Sequence, residues 1–264
     1  MDENILINKW HAVPLTQRNA AGIISSMEQL SSKAGISTPR VYLVDKVPGF
    51  GNLGVINAAA AGSDQVLLTR GILESFGITN LNAPLNKRLQ AVIGHELSHC
   101  KNFRFETFAK LAPPLLIPLA TTLGLFFYKK VKEHNSKKDK HDTLNAEADY
   151  TEAQIKKEDG SIEPWQKKVI VTAQYMAAAA LGLGAGILMT RSLSNHFENR
   201  ADSFSKKIMG DGRSLAEGLA IIYLDTSKLL QEKGFGDMPK WKRVLASVLQ
   251  SHPNTQKRMD SLLR

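Results

Sequence analysis

His95-Glu96-Leu97-Ser98-His99 sets two imidazoles four residues apart with a carboxylate between them. On a helix, residues four apart are separated by only about 40° in projection, so both rings can aim a nitrogen at one metal ion. Zinc is the natural occupant, because it takes imidazole and carboxylate ligands and a hydrolytic site keeps one position open to water. Such a pair needs a third protein ligand, and the candidates are His134, His141, His196, Glu198, Asp202 and His252. Glu198 and Asp202 stand out: spaced four apart, they share a helix face beside the apolar stripe of Leu193, Phe197, Ala201, Phe204 and Ile208. One of these carboxylates can ligate while the other holds a ligating histidine in its correct tautomer. His196 falls about 160° from Glu198 around that helix and points elsewhere.

These side chains require a helix through the motif. Asn82 and Pro84 supply a start, and Leu85, Leu89, Val92, Ile93 and Leu97 build an apolar face. With Leu85 at 0°, Glu96 projects at about 20°, inside the apolar sector, while His95 and His99 sit at its border near about 280° and 320°. Lys87, Gln90, Gly94, Ser98 and Lys101 occupy the opposite face. A carboxylate in an apolar sector is costly to bury without compensation, and a water activated by a metal is a suitable partner for Glu96. Cys100 projects among the apolar residues and reads as core packing rather than as a ligand. Upstream, Leu15 to Ala34 has the pattern of an amphipathic helix ended by Gly35. Arg40 to Asp45 and Gln65 to Thr69 read as strands, and a short helix ends near Gly77.

The chain has 264 residues and a formal charge of +9, with a mean hydropathy of −0.19 that suggests an ordinary soluble protein. That average conceals two uncharged runs, Leu111 to Tyr128 and Val169 to Thr190, of 18 and 22 residues. Each is long enough to span a bilayer. Pro113, Pro114 and Pro118 would break or kink the first unless neighbouring groups take up the carbonyls they free. Gly182, Gly184 and Gly186 give the second the small-residue surface over which membrane helices pack closely. The expected organisation is therefore residues 1–110 and 191–264 as two parts of one catalytic domain, with a hairpin at 111–190 inserted between them. Spans 111–128 and 169–190 enclose a polar loop, 129–168, which reads as a loop, a charged helix or partly disordered chain. Two spans put both parts of the domain on one side of the membrane.

Basic residues are spread along the chain: 11 against 8 acidic in residues 1–110, 10 against 9 in 129–168, and 13 against 8 in 191–264. No basic stripe interleaved with aromatics emerges, so no nucleic-acid partner is expected. A signal peptide is not expected at the amino terminus, and the single cysteine excludes an intramolecular disulfide.

Gly94-His95-Glu96-Leu97-Ser98-His99, followed by a hydrophobic hairpin and then Glu198-x-x-Ala201-Asp202, resembles the HtpX-like membrane metallopeptidases, gluzincins related to the CAAX prenyl proteases. Pro39-Arg40-Val41-Tyr42 is similar to that family's first strand, and Gln65 to Leu73 to its edge strand and following turn. Asn57 to Gly62 is similar to its Asn-Ala-Phe-Ala-x-Gly segment with Ala59 in place of Phe, and Ser251-His252-Pro253 with Arg258 to its closing motif. The resemblance implies an α+β, mostly helical, zincin-type domain with a small β-sheet and an inserted hydrophobic helical hairpin. It implies one Zn²⁺ held by His95, His99 and Glu198, with Asp202 behind them. Glu96 is then the general base and His252 a donor to the oxyanion. Asn57, Ala58, Val66, Leu67 and Arg258 are the expected substrate-binding residues, the 65–69 strand pairing with an extended main chain. The implied partners are protein or peptide substrates and a lipid bilayer, with the oligomeric state left open. Lysines flank the loop side of the hairpin more heavily, which would put the loop in the cytoplasm. The resemblance and the cysteine usage favour a cytoplasmic catalytic domain instead, and that orientation is the one expected. Two other readings keep part of this picture: a non-catalytic membrane adaptor, and a soluble zinc peptidase with its hairpin buried.

Overall fold

The computed structural model of the chain describes residues 3–45, 55–146, 164–232 and 255–264. The fold is α+β and mostly helical. In chain order the elements are α1 (Glu3–Trp10), β1 (Val13–Leu15), α2 (Ala21–Ala34), β2 (Arg40–Val44), β3 (Ala58–Ala60), β4 (Gln65–Thr69) and α3 (Arg70–Ser75). They are followed by α4 (Lys87–Ala146), α5 (Pro164–Met209), α6 (Arg213–Glu232) and α7 (Thr255–Leu262). The chain divides into two compact units, one of residues 1–107 with 194–264 and the other of 108–193.

In the first unit the strands form a mixed sheet in the order β1-β2-β4-β3, with β2 parallel to β4 and both outer strands antiparallel. The expectation of β4 as an edge strand is corrected here. Gln65 to Thr69 is buried at every position and pairs on both sides, so its main chain is already satisfied, and β3 is the edge beside it. Its three consecutive apolar residues, Val66 to Leu68, suit a strand buried on both faces, but a run this short does not say which strands flank it. Neither β1 nor β3 was legible, since three residues with a proline and three consecutive alanines carry no period-2 signal. Leu15 accordingly belongs to β1, and α2 begins only at Ala21, ending on Gly35 with φ 63°, a left-handed value suited to glycine.

The motif helix starts three residues later than Pro84 suggests. Asn86 Oδ1 accepts the Leu89 N–H at 2.9 Å and caps α4, while Asn82 Oδ1 accepts the Ala21 N–H at 3.0 Å and serves the start of α2. Leu85, Leu89, Val92, Ile93, Leu97 and Cys100 all lie in the core with Ile23, Met27, Leu30, Leu68 and Ile72. The face carrying Gly94 and Ser98 is covered too, and every residue from Ala91 to Cys100 is buried. Small residues allow this. A Cβ on Gly94 would lie 2.9 Å from Ile208 Cδ1, and Ser205 Oγ donates to the Ala91 carbonyl at 2.6 Å, so α5 packs closely along this stretch of α4.

In the second unit, α4 continues through Pro113, Pro114 and Pro118 without a break. Pro114 cannot donate to the Lys110 carbonyl, and Thr190 Oγ1 of α5 supplies a hydrogen bond there at 3.1 Å. The glycines bring α5 against this proline-rich stretch: a Cβ on Gly186 would lie 2.8 Å from Pro113 O, and one on Gly182 2.8 Å from Pro118 Cα, whereas Gly184 faces open space. Gly186→Ala is therefore expected to destabilise the hairpin by about 1–3 kcal/mol through forced separation. Gly184→Ala should stabilise it by up to about 1 kcal/mol through helix propensity. Thermal unfolding of the two variants in detergent would show shifts of opposite sign, and equal shifts would refute this packing.

Both helices are long and apolar enough to cross a membrane, with only 6% and 17% of their most apolar windows buried. Leu115, Leu116, Phe127, Leu181 and Leu188 on these helices are exposed. Of the polar loop, α4 accounts for residues up to Ala146 and α5 for those from Pro164, while 147–163 lie outside the described residues.

Candidate metal centre

His95 and His99 stand one turn apart on α4, and Glu198 faces them from α5; all three are buried in the first unit. The two Nε2 atoms are 3.1 Å apart. Glu198 Oε2 lies 3.3 Å from His95 Nε2, and Glu198 Oε1 lies 3.5 Å from His99 Nε2. Tetrahedral coordination at roughly 2.05 Å per bond requires neighbouring donor atoms about 3.3 Å apart. The two Nε2 atoms stand near one such edge, and the Glu198 carboxylate reaches each of them with a different oxygen, so the three side chains converge where one ion could be held.

Each imidazole is held from behind by a carboxylate. His95 Nδ1 is 2.8 Å from Asp202 Oδ1, and His99 Nδ1 is 2.8 Å from Glu106 Oε2. Glu106 did not emerge from the sequence. The available signal was its place seven residues beyond His99, where two helical turns return to within about 20° of the same face.

Burial works against charging both histidines, yet the carboxylates outweigh it. Hydrogen bonding to Glu106 and Glu198 pushes the His99 imidazole up to about 10, and Asp202 and Glu198 move His95 in the same direction. The pocket is thus rich in negative charge, which a divalent cation would meet while leaving both imidazoles neutral.

Arg258 is 3% exposed, and α7 lays it behind this centre. Its Nε and Nη2 donate to Asp202 at 2.8 and 2.6 Å, and its Nη1 lies 2.9 Å from Glu198 Oε2. Burial alone would raise the Asp202 carboxyl, but Arg258 and His95 prevail and hold it below the ordinary carboxylate range. Arg258, expected to contact substrate, is buried in these pairs.

Glu96 is 3% exposed, and its Oε2 accepts the Ala60 N–H of β3 at 2.9 Å. That bond fixes the direction of the edge strand. In the antiparallel register Ala59 opposes Leu67, so the main-chain groups of Ala58 and Ala60 point away from β4. Val66 and Leu67, expected to touch substrate, are 0% and 6% exposed inside the sheet. Asn57 ties the strand down: its N–H donates to Thr69 Oγ1 at 2.9 Å, and its carbonyl accepts the Thr69 N–H at 3.0 Å. Cys100 is core, its thiol pushed up to about 12 by burial and by Glu96. His196 is exposed, and His252 lies outside the described residues.

The family model for peptidase family M48 matches residues 17–264. The chain belongs to peptidase family M48. Over 130 residues this M48 chain is 31% identical to a Dictyoglomus turgidum protein named Protease HtpX homolog, covering 47% of the chain and 38% of that protein. A Campylobacter concisus protein of the same name is 27% identical over 106 residues, 38% of the chain and 31% of that protein. These alignments span well under half the length of either relative. Protease HtpX of Pseudomonas putida strain W619 is 24% identical over 282 residues, covering 99% of the chain and 80% of that protein. No solved structure matches.

Proposed function

We propose that this M48 peptidase is a zinc-dependent metalloendopeptidase, anchored in a membrane by its two apolar helices with the catalytic unit on the cytoplasmic side. Its proposed substrates are membrane-associated or misfolded proteins. The observation that carries the reading is the convergence of His95 Nε2, His99 Nε2 and the Glu198 carboxylate, all buried, with Glu96 buried alongside. The family and the protease names of its relatives support the peptidase part. The exposed apolar hairpin supports the membrane part.

His95, His99 and Glu198 would hold the ion, which when bound supplies Lewis acidity toward a water and the scissile carbonyl. Glu96 takes the proton from that water as general base and passes it to the departing amine. His252 is assigned as a donor to the developing oxyanion. The outer edge of β3 receives the substrate as an added strand through the outward main-chain groups of Ala58 and the Ala60 carbonyl, the Ala60 N–H being held by Glu96. Main-chain pairing of this kind reads backbone more than side chains, and broad specificity follows.

The test is metal removal. The detergent-purified chain should carry about one zinc, lose hydrolysis of an unfolded protein on chelation, and regain it with added zinc. Hydrolysis that survives complete removal of the metal would refute the reading.

A further inference from the structure

Two histidines converge on the centre, and each is backed by a different carboxylate. We propose that Glu106 is a positioning residue for His99, an assignment that rests on the metal reading above. The Glu106 carboxylate is 6% exposed and lies 2.8 Å from His99 Nδ1. An ionised carboxylate only accepts hydrogen bonds. With the ion bound and the imidazole neutral, His99 would keep its hydrogen on Nδ1 and offer the lone pair of Nε2 on the side it shares with Glu198 and His95. Asp202 does the same for His95 at 2.8 Å.

The geometry separates this arrangement from an incidental contact. Burying a carboxylate is unfavourable unless it is hydrogen-bonded, so a chain with no use for Glu106 would gain by an apolar residue at that position. Both partners lie on one continuous helix, two turns apart, so the distance between them is set by helical geometry rather than by a loop. Phe105 and Phe197, next to Glu106 and Glu198 in sequence, meet edge to face at 5.9 Å. The segments of α4 and α5 that bear the two acids are thereby braced against each other. A carboxylate on Nδ1 also increases the electron density that the ring offers through Nε2, which strengthens it as a ligand. The two imidazoles are supported differently, because Asp202 shares its charge with Arg258.

Glu106→Met and Glu106→Gln separate the roles, since both keep the side-chain length and the helix and only glutamine keeps an accepting oxygen. Zinc affinity, measured by competition with a chromophoric chelator, is expected to fall by about 10–100-fold in Glu106→Met and to recover most of that loss in Glu106→Gln. The visible spectrum of the cobalt-substituted chain should shift in Glu106→Met and return toward wild type in Glu106→Gln. If the wild-type chain binds zinc and Glu106→Met binds it equally well, Glu106 has no positioning role. A loss that glutamine does not recover, with an unchanged cobalt spectrum, reduces Glu106 to packing. If the wild-type chain takes up no zinc, the metal reading itself fails.

Discussion

A Glu96→Gln chain is expected to retain about one zinc and to cleave peptide bonds about 10²–10⁴-fold more slowly, with the loss in kcat rather than KM. Glutamine matches the glutamate in shape and can still accept the Ala60 N–H that Glu96 Oε2 accepts at 2.9 Å, so β3 and the first unit should be undisturbed. The amide has no basic oxygen, however, and cannot take the proton from water. Glu96 is not among the three converging donors, which is why the metal should stay. Glu198→Ala provides the contrast. It removes one of those donors, so activity should disappear together with the zinc. Metal content and kcat measured on the same preparations distinguish the two variants. Undiminished turnover in Glu96→Gln would remove Glu96 from the chemistry, and undiminished zinc in Glu198→Ala would remove Glu198 from the centre.

How much of this was legible in the sequence follows from the range of each interaction. The motif helix and its buried Glu96 were readable, because one helix's periodicity places both histidines and the carboxylate at fixed angles. The pairing of Glu198 with Asp202 was readable for the same reason, although its meeting with the histidines depends on contacts across about a hundred residues of chain. Gly94 and Ser98 were assigned to the face opposite the core. They are buried because their small side chains admit α5, which a single-helix projection does not contain. The strand at 65–69 was recognised as a strand but given the wrong place in the sheet, since pairing on both sides is a property of β2 and β3 as much as of β4. Arg258 was linked to the site by resemblance. Its burial against Asp202 depends on the docking of α7, which no local pattern encodes.

That burial leads to the second large effect. Arg258→Ala leaves the carboxylates of Asp202 and Glu198 buried without the guanidinium that joins them, and breaking a buried pair from one side costs about 3–5 kcal/mol. Arg258→Lys should fall between alanine and wild type, because an ammonium keeps the charge but cannot reproduce the forked contact of Nε and Nη2 with the two Asp202 oxygens. The pH dependence gives the argument its sign. Asp202 has a folded pKa below its ordinary value because Arg258 and His95 outweigh burial. Its stabilising contribution is therefore complete above the unfolded carboxylate value of about 3.9 and is lost as pH falls through the depressed folded value. Without Arg258 the largest opponent of burial is gone, and the preference of Asp202 for its charged form shrinks. The stability gap between wild type and Arg258→Ala, measured by denaturant unfolding of the metal-free chains, should be widest near neutral pH and narrow as pH falls below about 4. A gap that stays constant across that range would mean that the side chain of Arg258 contributes through packing alone.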